Sequence, residues 1–291
     1  MLSASSNLAV YSPTLGWIPG EVVIYLGCPF FYPTGSEVGA AIARGWEWDN
    51  VLRGLLQTLV PEENPLICEV GGNIGASLLE MLNAKPRARI VCFEPSERFR
   101  TFLELNIRLA GLTQSVDLHP YIVGQEPGTG IIHTDHTSGS VHALPHLTEF
   151  QTAKVTTLNH MLHEQSCVRF LKVDTDGGDV EVLRGGDEIL KRDNPILFFE
   201  YCPALMRSDP ELGLRWLKTL GYLRFICFDN LGYVTGVSSD CATVTQMARD
   251  HTYCDILTCV DGTDEDRMLR NQQMFRTRGT RSFCSLGSGT K

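Results

Sequence analysis

Glu69-Val70-Gly71-Gly72-Asn73-Ile74-Gly75 and, further on, Phe93-Glu94-Pro95 carry the residue types that grip a nucleoside. The apolar run Leu66-Ile67-Cys68 ends in an acid and a glycine-rich turn, after which Ala76 to Leu82 reads as a helix. A second apolar run, Arg89 to Phe93, ends in another acid. Glycines let the backbone approach a ligand, and a helix start offers N–H donors to an anionic group. An acid ending the second strand accepts from ribose hydroxyls. Glu69, Gly71, Gly72, Asn73, Gly75 and Glu94 are the candidate cofactor-binding residues.

Gly71, Asn73 and Gly75 give G-x-N-x-G, not the dinucleotide fingerprint G-x-G-x-x-G. An acid directly before the glycines would repel a pyrophosphate but suits a ligand with an ammonium and a sulfonium. The pattern therefore favours S-adenosylmethionine over NAD. A tight strand-to-helix turn in any α/β protein is the plain alternative, and the placement of Glu94 weighs against it.

A second constellation is Lys172-Val173-Asp174-Thr175-Asp176-Gly177-Gly178-Asp179, with Glu200 ending the next apolar run. Ligands of open parallel sheets gather at the carboxyl ends of strands, where strand order reverses. Asp174, Asp176 and Glu200 fall at such ends and are the candidate catalytic residues, with Asp174 also a candidate cofactor contact. Asp174 has a plainer use in pairing with Lys172, two residues back on the same side of its strand. Asp176 or Asp179 has one in capping the helix that follows. Tyr201 reads as a substrate wall or as core.

His133, Asp135, His136, His142, His146, His160 and His163 crowd the stretch before that strand. A loop over the strand ends could present a histidine base to an acceptor, and His136 is the candidate. H-x-D-H has no tetrahedral zinc spacing, and no metal site is expected. Asp174, Asp176 and Asp179 offer oxygen ligands to Mg²⁺, which is noted without being expected.

Strands near 66–70, 89–94, 116–123, 168–174 and 195–201 alternate with helices near 75–84, 96–110 and 179–192. That alternation implies a parallel sheet covered on both faces. Val123, at the expected end of the third strand, is the candidate adenine contact. A helix from about Trp46 to Leu59 precedes this unit, and residues 1–45 read as an extension packing on it. Glu211 to Leu220 reads as helix, Tyr222 to Phe228 and Gly232 to Val237 as a hairpin, and Asp255 to Val260 as a late strand. The expected organisation is an extension 1–45, a main domain 46–260 and a basic tail 261–291.

The chain has 291 residues, 43 % hydrophobic and 20 % charged, as globular domains do. A net charge of −9 argues against nucleic acid as the main partner, since phosphate binding wants the opposite sign. The ten cysteines sit largely in apolar runs without a CxxC pair, as buried thiols of a reducing compartment do. There is no leader pattern and no run of about 18 apolar residues, so a cytoplasmic protein off the membrane is expected. A homo-oligomer is left open.

Glu69 to Gly75, Phe93-Glu94-Pro95, Leu105-Asn106, Leu171 to Gly177, Val182-Leu183-Arg184-Gly185 and Phe198-Phe199-Glu200 occur in that order. Together they resemble the FkbM family of S-adenosylmethionine-dependent methyltransferases, over roughly residues 46–201 with weaker echoes to about 260. The resemblance implies the class I methyltransferase fold: an α/β, Rossmann-like, doubly wound sheet, mostly parallel, with an antiparallel C-terminal hairpin here. It also implies O-methylation of a hydroxyl on a sugar or specialised metabolite, with a small-molecule acceptor. The family usually has Asp-Gly-Ala-Asn at the first turn and Lys-Ile-Asp-Val-Glu-Gly at the later strand. Glu69 and Gly72 depart mildly, and Asp176 draws its carboxylate back by one methylene.

A sulfonium methyl is already activated, so the protein must position the acceptor and receive its proton. N-methylation of an amine or guanidine is the alternative, because an acidic mouth attracts its cation. A NAD-linked oxidoreductase calls for the missing G-x-G-x-x-G, and a non-catalytic binding protein of the same fold rests on Asp176 alone.

Overall fold

The computed structural model describes residues 8–135, 139–140, 149–206 and 209–260. Strands β1 (Leu8–Ser12), β2 (Gly16–Tyr25) and β3 (Cys28–Pro33) form an antiparallel sheet, followed by α1 (Glu37–Ala43) and α2 (Asn50–Leu59). The main unit begins with β4 (Leu66–Val70), α3 (Ala76–Ala84), β5 (Arg89–Phe93), α4 (Glu97–Leu109) and β6 (Val116–His119). Then come β7 (Ile122–Val123), β8 (Gly128–Thr134), β9 (Gly139–Ser140), β10 (Glu149–Thr156) and α5 (Leu158–Leu162). The chain returns through β11 (Val168–Val173), α6 (Asp179–Arg184), α7 (Asp187–Asp193) and β12 (Ile196–Tyr201). The last described elements are α8 (Pro210–Thr219), β13 (Phe225–Phe228), β14 (Val234–Ser238), α9 (Cys241–Asp250) and β15 (Cys254–Thr258).

The central sheet has the order β14-β13-β15-β12-β11-β4-β5-β6. Pairs from β12 to β6 are parallel, whereas β15 lies antiparallel to β12 and β13, and β13 antiparallel to β14. The chain steps from β4 outward to β6, then crosses back to β11 on the other side, so strand order reverses between β4 and β11. Side chains alternate across a strand, and the two faces bury separate cores. Ile67, Ile90, Cys92, Phe170 and Phe198 pack beneath α2, α3, α4 and the N-terminal sheet. Cys68, Val70, Phe93, Val173 and Phe199 pack against the helices α5 to α9. Burial on both faces explains the near-continuous apolar runs of β4, β11 and β12.

The expected third strand, 116–123, is two strands in different sheets. Pro120, which has no N–H to give a ladder, ends β6 near His119, while Ile122–Val123 pairs in parallel with β10. β7 to β10 form a second sheet of order β7-β10-β8-β9 within the histidine-rich stretch. The expected helix 179–192 is broken into α6 and α7 at Gly185-Gly186. A Cβ on Gly185 would run into the Gly124 carbonyl oxygen, so close backbone approach fixes glycine there. α9 is an element that the sequence reading omits. Residues 261–291, His136, His142 and His146 lie outside the described residues.

Candidate active site

The turn after β4 needs backbone conformations that few residues tolerate. Gly71 has φ +91°, and a Cβ there would fall onto the Asp174 carbonyl oxygen. Asn73 has φ 45°, a left-handed conformation that Asn accepts more readily than most residues. The Gly71 and Gly72 N–H groups both donate to the Phe93 carbonyl, at 2.9 and 3.1 Å. Gly75 opens α3 without a side-chain cap, so the first turn of the helix keeps donors suited to a ligand carboxylate.

Glu94 closes this turn. Its Oε2 accepts the Asn73 N–H at 2.7 Å and its Oε1 the Ser96 N–H at 2.8 Å. Each oxygen retains acceptor capacity, as ribose hydroxyls require. Burial pushes its carboxyl up to about 7, against the opposing effect of those two N–H groups and Arg100. Glu69 lies beneath the turn rather than within it. It is fully buried, on the sheet face below the turn, where it accepts from Ser77 Oγ and from Cys92 Sγ at 3.6 Å. That arrangement ties β4 to the start of α3 and to β5, so Glu69 shapes the turn from beneath.

Val123 is buried against the core of the opposite face, in the second sheet rather than at the end of the third central strand. The end of β6 instead presents His119, which stacks on Phe93 at 5.3 Å and on Tyr121 at 6.1 Å. This aromatic group went unnoticed in the sequence because the strand was drawn through Pro120.

Across the strand-order reversal, the Asp174 N–H donates to the Val70 carbonyl at 2.9 Å. The glycine turn and the second constellation are thus contiguous. Lys172 is buried, and its Nζ meets Asp174 Oδ2 at 2.8 Å and Asp49 Oδ2 at 3.6 Å. Burial alone would lower its pKa, but Asp174, Asp49 and Glu69 outweigh that and hold the ammonium well above its ordinary value. The Lys172–Asp174 pairing leaves Asp174 aligned at the strand end with 42 % of its side chain exposed.

Asp176 takes φ 52°, and its carboxyl is pushed up to about 7 by burial, then by Asp174 and Asp135. Asp179 does the local structural work: it is fully buried and accepts the Thr175 and Gly177 N–H groups, each at 3.2 Å. Burial, then Asp174 and Asp176, push it up to about 8. Glu200 is held well above the ordinary range by burial and by Asp174, Asp179, Asp176 and Asp255. Tyr201 is core, its hydroxyl 2.8 Å from Thr245 Oγ1.

Asp49, Asp255 and Tyr253 also belong to this mouth. Asp255 stands directly opposite Glu200 in the β12–β15 register, and Tyr253 is raised by burial and by Asp255, Glu200 and Asp174. The visible signal for Asp255 was a lone acid in an apolar strand. Asp49, before α2, gave none.

The second sheet overhangs both halves of the site. Gln151 on β10 donates to the Pro95 carbonyl at 2.6 Å and accepts the Glu97 N–H at 3.0 Å. Asp135, just after β8, is close enough to raise Asp176. His160 and His163 are exposed on α5 and just beyond it. Arg192, shortly before the start of β12, donates to the His163 carbonyl at 2.9 Å, which places His163 near the amino ends of the central strands, away from the site at their carboxyl ends. Among the described residues, no three His, Cys, Asp or Glu side chains are arranged to hold a metal ion. No helix among them is long and apolar enough to cross a membrane.

Comparison with known proteins places the chain. A tRNA U34 carboxymethyltransferase of Cellvibrio japonicus is 27 % identical over 185 residues, 61 % of this chain and 50 % of that protein. The chain therefore spans about half the length of that relative. The 2-O-methyltransferase NoeI of Sinorhizobium fredii is 24 % identical over 177 residues, 53 % of this chain and 68 % of that protein. Among solved structures, an FkbM methyltransferase from Methylobacillus flagellatus aligns with TM-score 0.47 and 14 % identity, over 67 % of this chain and 44 % of that one. TYW2 of M. jannaschii, in complex with AdoMet, aligns with TM-score 0.44 and 11 % identity, over 82 % and 84 %. The sheet order and its point of reversal are those of a class I methyltransferase fold. The methyltransferase FkbM domain model matches residues 69–234, more than half of the chain, and the protein belongs to that family.

Proposed function

We propose that this protein is an S-adenosylmethionine-dependent methyltransferase that O-methylates a hydroxyl of a sugar or specialised metabolite. The observation that carries this reading is the junction of Gly71 with Asp174, which sets a nucleoside-type turn beside an acidic mouth. The turn fits the donor: Glu94 has acceptor capacity for ribose hydroxyls, and the N–H groups at the start of α3 suit a carboxylate. His119 and Tyr121 offer flat faces at the adenine end. When bound, S-adenosylmethionine supplies a methyl group already activated by its sulfonium.

The chain's own residues then have two tasks. The first is to hold the acceptor hydroxyl at attack distance, a contribution of up to roughly 7–11 kcal/mol in well-oriented systems. The second is to receive the hydroxyl proton, typically worth about 10²–10⁴-fold. Asp176, with its carboxyl near 7, suits a base that works at neutral pH. Asp174, fixed by Lys172, suits orientation of the acceptor.

N-methylation is the second reading, favoured by the same acids. An RNA acceptor is disfavoured, because these carboxylates would face phosphates. The test begins with thermal shifts by S-adenosylhomocysteine and by NAD, since a ligand of the native state raises its stability. It continues with mass detection of a +14 Da product from hydroxyl and amine acceptors. Stabilisation by S-adenosylhomocysteine alone and a product on oxygen support the proposal. Stabilisation by NAD alone contradicts it.

A further inference from the structure

The mouth holds more carboxyl groups than its proton-transfer role requires. Lys172 is committed to Asp174 and Asp49. Glu200 and Asp255 lie on the same sheet face, directly opposite each other on antiparallel strands. Ionised together they would repel, and burial, with the acids around them, pushes both carboxyls up toward the neutral form while no ligand cation is near. Glu200 Oε2 is withdrawn from solvent and has no hydrogen-bond partner. At the same mouth Thr175 Oγ1 is buried without a partner, and Asp49 Oδ2 makes no hydrogen bond beyond its longer contact with Lys172. A buried polar atom left unpaired is costly, so such a set is explained by a donor that arrives with a ligand.

We propose that Glu200 and Asp255 receive a cationic group of the acceptor, an ammonium or a guanidinium, so that the acceptor carries a fixed positive charge beside the hydroxyl to be methylated. The inference rests on reading this mouth as the acceptor site. A guanidinium presents five N–H donors in a plane and an ammonium three, and either would bridge the facing carboxylates and satisfy Glu200 Oε2. The group is a handle and not the nucleophile, because a protonated nitrogen has no lone pair to attack with. A metal ion fits less well, since no three ligating side chains among the described residues converge on one point.

The test uses the full chain, with and without S-adenosylhomocysteine, and ethylguanidinium chloride as probe, followed by saturation-transfer NMR and melting temperature. N-ethylurea is the neutral isostere, and sodium chloride holds ionic strength constant. Ethylguanidinium is expected to bind saturably at millimolar concentration and N-ethylurea not at all. Glu200→Gln and, separately, Asp255→Asn should each weaken the probe tenfold or more, whereas Glu164→Gln on the surface should leave it unchanged. Equal response to both probes, or undiminished binding in whichever of the two mouth variants folds, overturns the proposal. The S-adenosylhomocysteine shift reports the donor site separately. Its absence with probe binding intact defeats the methyltransferase reading alone, and its presence without probe binding defeats the cation subsite alone.

Discussion

The Asn73 N–H donates to Glu94 Oε2 at 2.7 Å, tying the glycine turn after β4 to the acid that follows β5. The bond fixes Glu94 in place before any ligand binds and keeps Asn73 in its left-handed conformation. One carboxylate thus shapes the turn and, on the proposed reading, accepts from the ribose hydroxyls.

Glu94→Ala removes both functions and leaves the Asn73 and Ser96 N–H groups without their acceptor. Each unsatisfied N–H costs the fold about 1–3 kcal/mol. The ribose hydroxyls lose a charged acceptor worth about 1.5–3 kcal/mol for each bond, so S-adenosylhomocysteine binding should weaken by roughly a hundredfold. Isothermal titration measures it. Since the ionised carboxylate is the better acceptor and its pKa is near 7, wild-type affinity should rise between about pH 6 and pH 8. Unchanged affinity in the variant would remove Glu94 from the site.

Gly71→Ala separates close approach from backbone strain. At Gly111, φ is +72° and a Cβ would meet nothing within 4 Å. Gly111→Ala should therefore cost only about 1–2 kcal/mol, the penalty of a left-handed residue, and spare ligand binding. Gly71→Ala meets the Asp174 carbonyl as well, and should cost roughly 2–5 kcal/mol and lose the ligand. Denaturant melts with each ligand-binding isotherm compare them.

Asp176→Asn should retain S-adenosylhomocysteine binding and lose about 10²–10⁴-fold in turnover, the usual worth of a general base. The wild-type rate should climb as pH passes about 7, where the Asp176 carboxyl ionises. Asp174→Asn should also spare binding and remove turnover, because Lys172 loses the negative charge of its 2.8 Å partner and the mouth the carboxylate proposed to orient the acceptor. Full activity in either variant would end that residue's role.

The ligand-free protein should be most stable in mild acid. Glu94 and Asp176 titrate near 7 and Asp179 near 8 when folded, well above the unfolded values of about 4. The native state binds these protons more tightly, so their stabilisation is present below about pH 4 and is lost as pH rises through 7 to 8. Melting temperature should fall between about pH 5.5 and pH 8.5. A rise over that interval would contradict the burial of these acids.

Much of the parallel sheet was legible because strands buried on both faces read as apolar runs ending in acids, as β4, β5, β11 and β12 do. The second sheet was not, because β10 mostly alternates half-buried and exposed positions, β8 buries only Ile132 and Thr134, and neither gives a strong apolar signal. The same limit governed the site. Asp174, Asp176 and Glu200 follow or end apolar strands and could be read there. Asp49 and Asp255 reach the mouth only through tertiary packing, from α2's leading turn and from a strand that inserts antiparallel beside β12. Alternation along β4 turns Glu69 under the glycine turn, toward Ser77 and Cys92, a placement that only the fold reveals.

A crystal structure with bound S-adenosylhomocysteine tests the account most directly. The account predicts the ribose hydroxyls on Glu94, the amino-acid portion along Gly71 to Gly75, and the sulfur facing Asp174 and Asp176. Ligand density elsewhere, with the glycine turn unengaged, would contradict it.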